Sequence, residues 1–273
     1  MRISYLTGAR ATTAALALLL TLAPQASRPA RAASFIVNGG FEAGFAGWTR
    51  LDSLGSDGTF FQQSGTQSPV NSSSVPAPPG GTFAAMTDSQ GPGTHVLYQD
   101  FAFNVPTNEV FANLNFSLFI GNGADRFAAP ARLDFSTPTL NQQARVDIMT
   151  TTADPFSVAP GDVLFNAYQT RPGDALVSGY TTISVDLTAL ISSQRGQTLR
   201  LRFAEVDNIS AFQLGVDNVS LVSVVPEPSG VVLLGTGLLG AGLFGLRGWL
   251  RSRRAASSGA AGGQGRPGVR PSF

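Results

Sequence analysis

FQLGVDNVSLVSV, residues 212–224, is an alternating segment that indicates how the whole chain folds. Apolar residues occupy every second position as far as Val216, and the alternation resumes out of phase by one residue at Val219. A β-bulge at Asp217 and Asn218 would restore the phase, because a bulge adds one residue to one strand of a pair. The segment therefore predicts a long, bulged strand that is covered on one face.

Period-two alternation continues through most of residues 82–222, with apolar residues opposite polar ones. The clearest segments are 95–105, 113–120, 131–135, 145–149, 163–168, 183–187 and 199–203. This pattern is typical of antiparallel sheets covered on one side. Roughly eight to ten such strands, with one short helix at 187–193, predict an all-β fold, an antiparallel two-sheet β-sandwich of the jelly-roll type.

Residues 51–81 separate the first strands from the later ones and are rich in Ser, Gly, Gln and Pro. Such a composition cannot bury much apolar surface, so we predict a long surface loop. Phe60 and Phe61 within it are either a small strand or an anchor for the loop.

The N-terminus has the features of a secretory signal peptide over residues 1–32. Arginines precede an apolar run of about 13 residues, too short to span a membrane, and the small residues Ala30 and Ala32 mark a cleavage site. Removal of this peptide would leave 33–224 as the exported domain.

The C-terminal region, residues 225–254, combines an uncharged apolar segment with a basic end. The segment predicts a transmembrane helix at 231–250, and the basic end predicts its cytoplasmic side. The basic residues are Arg247, Arg251, Arg253 and Arg254. Residues 255–273, rich in Gly, Ala and Ser, are predicted to form a disordered cytoplasmic tail.

Val225, Pro226, Glu227, Pro228 and Ser229, followed by the apolar segment and the arginines, resemble the PEP-CTERM sorting signal of Gram-negative bacteria that make exopolysaccharide. The resemblance implies a membrane-embedded exosortase as processing partner and cleavage near Pro-Glu-Pro. It also implies an intermediate anchored in the inner membrane, followed by release to the cell surface or extracellular matrix. The alternative is an ordinary C-terminal anchor, in which the prolines only end the last strand.

Arginines are concentrated at the two ends of the chain, so the exported part is acidic. Residues 34–225 contain eight arginines and sixteen acidic residues, a formal net charge of −8. An acidic surface repels nucleic-acid phosphates and attracts divalent cations. We therefore predict no nucleic-acid partner.

The sequence has no cysteine and no lysine, and His95 is its one histidine. These counts exclude disulfides, thiol nucleophiles, P-loops, Schiff bases and zinc sites built from several histidines. Because His95 lies in an alternating segment, we expect it at the surface or on an edge strand.

The beginning of the exported part, with Asn38-Gly39, Phe41-Glu42 and Gly47-Trp48, resembles the first strand of galactose-binding-like jelly rolls, including many carbohydrate-binding modules. The end, Asp217-Asn218-Val219, resembles their closing strand. The resemblance implies that the first and last strands lie close together and hold a structural Ca²⁺. Its carboxylate ligands would be Glu42 and Asp217, with backbone carbonyl oxygens around Gly39 and Gly40 as additional ligands. The alternative is that both carboxylates bond backbone amides.

Sugar binding requires exposed aromatic rings, and the candidates are Trp48, Tyr98 and Tyr180, of which we expect Trp48 in the core. No sugar subsite follows from these residues alone. Hydrolysis would require two carboxyl groups facing each other, and no spacing favours such a pair. The acids that we expect to be solvated on polar strand faces are Asp100, Asp134, Asp147 and Asp186.

These features together predict an exported, non-catalytic protein of the cell envelope or extracellular space, associated with exopolysaccharide or the biofilm matrix. One alternative is a carbohydrate-binding module with affinity for a specific glycan. A second alternative is a secreted hydrolase that acts on polysaccharide.

Overall fold

Alternating segments form strands throughout residues 33–103 and 111–224, the part of the chain described by the computed structural model. These residues contain eleven strands and one helix of six residues. The strands are β1 (Ala33–Ser34), β2 (Thr49–Asp52), β3 (Thr59–Ser64), β4 (Phe83–Asp88), β5 (Gly93–Ala102), β6 (Phe111–Asn122), β7 (Gln142–Thr150), β8 (Val163–Gln169), β9 (Thr181–Asp186), β10 (Thr198–Asp207) and β11 (Phe212–Val224). The helix α1 (Thr188–Ser193) follows β9 and confirms the short helix predicted there.

The strands form two antiparallel sheets. The six-stranded sheet has the order β3-β4-β11-β6-β9, and β1 pairs with the last part of β11, beyond the point where β4 pairs. The five-stranded sheet has the order β2-β5-β10-β7-β8. The prediction of an all-β antiparallel sandwich is confirmed.

Aromatic side chains fill the space between the sheets. The Phe203 ring on β10 lies 6.0 Å from that of Trp48 and 5.6 Å from that of Phe116, measured between centroids. Trp48 is buried, as expected, and its Nε1 donates to the carbonyl oxygen of Asn38 at 3.0 Å. Truncating Phe203 to alanine should cost about 3–5 kcal/mol of stability, because the cavity could not collapse.

The predicted bulge in β11 is present. Pairing with β6 runs as far as Asp217 opposite Ser117 and resumes with Ser220 opposite Asn115. Asn218 has φ +52°, a left-handed conformation that asparagine tolerates better than most residues. The bulge thus places an acidic side chain at an irregular point of the sheet.

The segment predicted as a loop at 51–81 differs from that expectation in two ways. It contains β3, in which Phe60 is fully buried. Further along, Val75 packs with Met86 and Phe119 on the outer side of the six-stranded sheet. The segment therefore covers apolar surface, which its polar composition concealed.

Several predictions concern residues outside the described ranges. These are the signal peptide with Ala30 and Ala32, the sorting motif from Val225 to Ser229, the transmembrane helix at 231–250, the arginines from Arg247 to Arg254 and the tail at 255–273. Within the described ranges, no helix is long and apolar enough to cross a membrane.

Candidate functional site

The outer side of the five-stranded sheet carries a group of charged and aromatic side chains that we call the polar face. The strand register assembles it, because Arg200 of β10 lies opposite Asp100 of β5, and Arg202 lies opposite Tyr98. On the other side of β10, Arg202 lies opposite Asp147 of β7. The polar face consists of Tyr98, Asp100, Arg145, Asp147, Arg200 and Arg202.

Arg200 is held between an acid and an aromatic ring. Its Nε and Nη2 donate to the two carboxylate oxygens of Asp100 at 2.7 and 3.0 Å. Its guanidinium carbon lies 4.0 Å from the centre of the Tyr98 ring. The hydrogen bond that Arg200 donates to Asp100 raises the pKa of Arg200 above its usual value. The Asp100 side chain is 38% exposed, so this arrangement reaches solvent.

Asp147 is the centre of a buried network, although we expected a solvated acid. Arg145 donates two hydrogen bonds of 2.7 Å to its carboxylate, and Arg202 and Asn166 each donate another. Burial alone would raise the pKa of Asp147, but the hydrogen bond from Arg145 and the charges of Arg202 and Arg145 hold it below its usual value. The prediction was wrong here because alternation identifies a face without showing what covers it.

Two loops cover part of the polar face. Leu133 and Phe135 from one loop, and Phe156 and Val158 from another, pack against apolar residues of β5 and β10. Arg202 fixes the second loop by donating to the carbonyl oxygens of Pro155 and Ser157 at 2.6 and 2.7 Å. A cleft of about 430 Å³ lies between residues 131–134 and 156–160 of these loops. The sheet thus has both an ordered polar surface and a neighbouring concave one.

The structure brings the two predicted calcium ligands together. Glu42 Oε1 accepts hydrogen bonds from the backbone amides of Thr82 and Phe83 at 2.8 and 2.9 Å. Asp217 accepts from the amides of Gly80 and Asn218 at 3.0 and 2.6 Å. Both carboxylates therefore tie the segment 80–83 to the ends of the domain.

Burial raises the pKa of Asp217 to about 6, against the effect of its two backbone hydrogen bonds, and the charge of Glu42 adds to the rise. None of the ion pairs found among the described residues involves either acid. The Gly39 carbonyl oxygen, expected near the ion, accepts from the Val219 amide at 2.9 Å. The pair has the charge and the oxygen ligands that Ca²⁺ prefers, but part of its hydrogen-bonding capacity is already used.

His95 is buried and Tyr180 is partly buried. His95 is 1% exposed on the inner side of β5, so the expected surface position was wrong. Tyr180 packs on Phe119 outside the six-stranded sheet, and burial raises the pKa of its hydroxyl. Of the three aromatic candidates, Tyr98 is the one that lies beside exposed polar groups.

No protein-family model matches this sequence, and no curated protein matches it. Solved structures do resemble it. A Stig cyclase from Fischerella sp. TAU is 18% identical with a TM-score of 0.42, over 72% of this chain and 100% of the cyclase.

Two further structures contain carbohydrate-binding proteins. TmCBM61, solved in complex with β-1,4-galactotriose, is 9% identical with a TM-score of 0.38, over 69% of this chain and 97% of its own. A structure of carbohydrate-binding modules from the β-sandwich superfamily, described as promiscuous in specificity, is 16% identical with a TM-score of 0.39, over 71% of this chain and 63% of its own.

Proposed function

We propose that the exported domain binds extracellular polysaccharide without catalysis, through the part of the polar face around Tyr98, Asp100 and Arg200, where Asp100 is exposed, Tyr98 is half-buried and Arg200 lies beneath them. The observation that carries this proposal is the ordering of Arg200 by Asp100 and Tyr98 at the surface of the sheet. Sugar sites combine an aromatic surface with a few fixed polar groups, and planar guanidinium and carboxylate groups each offer paired hydrogen bonds to neighbouring hydroxyls.

The same face favours binding over hydrolysis. Glycoside hydrolysis uses a carboxyl group whose pKa is raised so that it can donate a proton. Asp147 has the opposite environment, because Arg145 and Arg202 hold its pKa below the usual value. The two carboxylate oxygens of Asp100 accept hydrogen bonds from Nε and Nη2 of Arg200. We therefore assign neither acid a catalytic role.

We further propose that the protein is delivered by an exosortase-type system. The order of parts in residues 225–254, Pro-Glu-Pro followed by an apolar segment and arginines, supports this route. The protein would be anchored in the inner membrane first and then placed at the cell surface or in the matrix, where it meets exopolysaccharide. Its sandwich would belong to the jelly-roll class.

A structural Ca²⁺ at Glu42 and Asp217 is part of the proposal. Glu42 Oε2 and the remaining lone pairs of Asp217 would supply ligands, and the ion would neutralise two neighbouring negative charges. Its role would be to hold the segment 80–83 against the bulge of β11. Both acids already accept hydrogen bonds from backbone amides of this segment.

The test of polysaccharide binding is affinity electrophoresis of the exported protein through gels that contain soluble polysaccharides, including exopolysaccharide from a Gram-negative producer. We expect retardation by at least one polysaccharide. Retardation should be lost in Tyr98→Ala and reduced in Asp100→Asn. Phe111→Ala is the matched control, because Phe111 is an aromatic residue of the other sheet that is 61% exposed. Equal mobility in every gel, or retardation that survives Tyr98→Ala, would contradict the proposal.

A further inference from the structure

A second group of ionisable side chains lies on the inner side of the five-stranded sheet, at the edge where β5 begins and β10 ends. His95 of β5 lies opposite Glu205 of β10, and Gly93 lies opposite Asp207. All three ionisable residues are buried, at 1%, 1% and 2% exposure respectively. One ligand atom from each lies within 4.8 Å of the other two. We call these three residues the inner cluster.

Two atoms of the inner cluster lack hydrogen-bond partners. His95 Nε2 and Glu205 Oε1 are both buried and bond to none of the described residues. A buried polar atom without a partner costs about 1–3 kcal/mol, and more when the group is charged. Two such atoms, in residues whose ligand atoms lie within 4.8 Å of one another, indicate a missing ligand with positive charge.

His95 is held in the orientation that a metal ligand requires. Its Nδ1 lies 2.8 Å from Asp52 Oδ1, a distance at which an Nδ1–H group donates to the carboxylate, and Nε2 is the ring nitrogen without a partner. The second ring N–H of a metal-bound histidine commonly donates a hydrogen bond to a carboxylate in this way. A Cβ atom on Gly93 would lie 2.3 Å from Nε2, so glycine at this position leaves room for the ring.

The charge of the inner cluster is also uncompensated. None of the five ion pairs among the described residues includes Glu205 or Asp207. Burial raises the pKa of Glu205 well above its usual value, and the charge of Asp207 raises it further. Burial likewise raises the pKa of Asp207 to about 6, although its Oδ1 accepts from the Gly93 amide at 2.6 Å. Two buried carboxyl groups without an arginine need either protons or a cation.

A cleft lies beside Asp207, one member of the inner cluster. Asp207 lines a cleft of about 220 Å³ between residues 90–92 and residues 207–211. An ion could enter beside Asp207, and a water molecule on the cleft side could complete its coordination.

We propose that the inner cluster binds a divalent transition-metal ion of the Zn²⁺ type through His95 Nε2 and one carboxylate oxygen each from Glu205 and Asp207. One imidazole nitrogen with two carboxylates suits Zn²⁺, Mn²⁺ or Co²⁺, whereas Ca²⁺ and Mg²⁺ select oxygen ligands alone. Tetrahedral bonds of about 2.1 Å place ligand atoms roughly 3.4 Å apart. Binding would therefore draw the three ligand atoms closer together than the 4.8 Å limit within which they now lie.

This ion is distinct from the Ca²⁺ proposed at Glu42 and Asp217, which would lie at the bulge of the other sheet. The three protein ligands would leave a fourth coordination position for water or a small ligand, as in catalytic zinc sites. The inner cluster thus adds a metal centre of a different chemical class to the domain.

The test is calorimetric titration of Zn²⁺ into the untagged full-length chain, purified in mild detergent and stripped of metal with a chelator. We expect one tightly bound ion per chain, and at least tenfold weaker binding by Glu205→Gln. Asp125→Asn is the matched control, because it makes the corresponding acid-to-amide change at a side chain that is 68% exposed and lies outside both proposed metal sites, and it should bind Zn²⁺ like the wild type. Co²⁺ should bind the wild type with the intense visible absorption of four-coordinate cobalt and lose it in Glu205→Gln.

Far-UV circular dichroism establishes that each variant is folded. If Glu205→Gln does not fold, His95→Gln decides the question in the same titration. Zn²⁺ binding by the wild type that is no tighter than binding by the folded variant would overturn the proposal. Equal weakening in Asp125→Asn would do the same.

Discussion

Acidic groups are buried on both sides of the sheet that contains β5, β10 and β7, but arginines accompany them only on the outer side. On the outer side, Asp147 receives hydrogen bonds from Arg145, Arg202 and Asn166. On the inner side, Glu205 and Asp207 lie together without an arginine. Burial is nearly complete in both places, so burial alone does not distinguish a structural acid from a candidate ligand. Compensation of the charge by protein groups makes the difference.

The pKa shifts follow that difference. Arg145 and Arg202 hold the pKa of Asp147 down although burial would raise it, whereas burial raises the pKa of both Glu205 and Asp207. The outer acid therefore contributes stability as an ion. The inner acids contribute it only when a proton or a cation accompanies them.

The largest expected effect is at Asp147. Asp147→Asn should lower the free energy of unfolding by about 3–5 kcal/mol, because it leaves two largely buried arginines without their carboxylate. Urea unfolding at neutral pH measures this change. Asp125→Asn, at an acid whose side chain is 68% exposed, is the matched control and should stay within about 1 kcal/mol of the wild type, because its ion pair with Arg126 lies at the surface. Equal stability of the two variants would show that the network does not hold the fold.

The pH dependence provides a second readout of Asp147. Its folded pKa is depressed, so its contribution is present above the unfolded value, near 3.8, and is lost as the pH falls through the folded pKa. Asp147→Asn should lack this acid-dependent loss. An identical slope for both proteins below pH 4 would contradict the assignment.

Glu42 and Asp217 are an intermediate case, since backbone amides rather than arginines bond them. Addition of about 10 mM Ca²⁺ should raise the melting temperature by roughly 3–5 °C, if affinity is that of extracellular sites. Glu42→Gln should abolish the rise. No change in melting on addition of Ca²⁺ or a chelator would count against the ion.

The smallest effect is expected at Glu205 in metal-free protein. Its pKa is raised, so its contribution is present below the unfolded pKa and is lost as the pH rises through the folded one. Glu205→Gln cannot lose that proton, and its free energy of unfolding at neutral pH should equal or exceed that of the wild type by about 1 kcal/mol or less. A loss of several kcal/mol in urea unfolding would indicate that protein groups already compensate the carboxylate.

Local pattern was sufficient to predict much of the fold. The phase change between Val216 and Val219 predicted the bulge of β11, and the residues after Asp186 predicted the helix α1. Alternation also predicted the antiparallel sandwich, since side chains of period two with one polar face need two packed sheets.

The site could not be predicted in the same way, because it depends on strand register. Arg200 meets Asp100, and His95 meets Glu205, across strands that are distant in sequence. Alternation placed Asp147 on a polar face but could not show that loops bury it. It also could not show which residue lies opposite His95 in the sheet. The residues around the inner cluster carry no short motif, so only the three-dimensional arrangement reveals them.

The most direct test of the difference between the two sides is the thermal unfolding of wild type and Glu205→Gln, each with and without Zn²⁺. Without the ion, the variant should be at least as stable as the wild type. With Zn²⁺ at about a hundredfold excess over its dissociation constant, the wild type should gain roughly 5–10 °C and become the more stable protein. If the same one of the two proteins were the more stable both with and without Zn²⁺, the account would be contradicted.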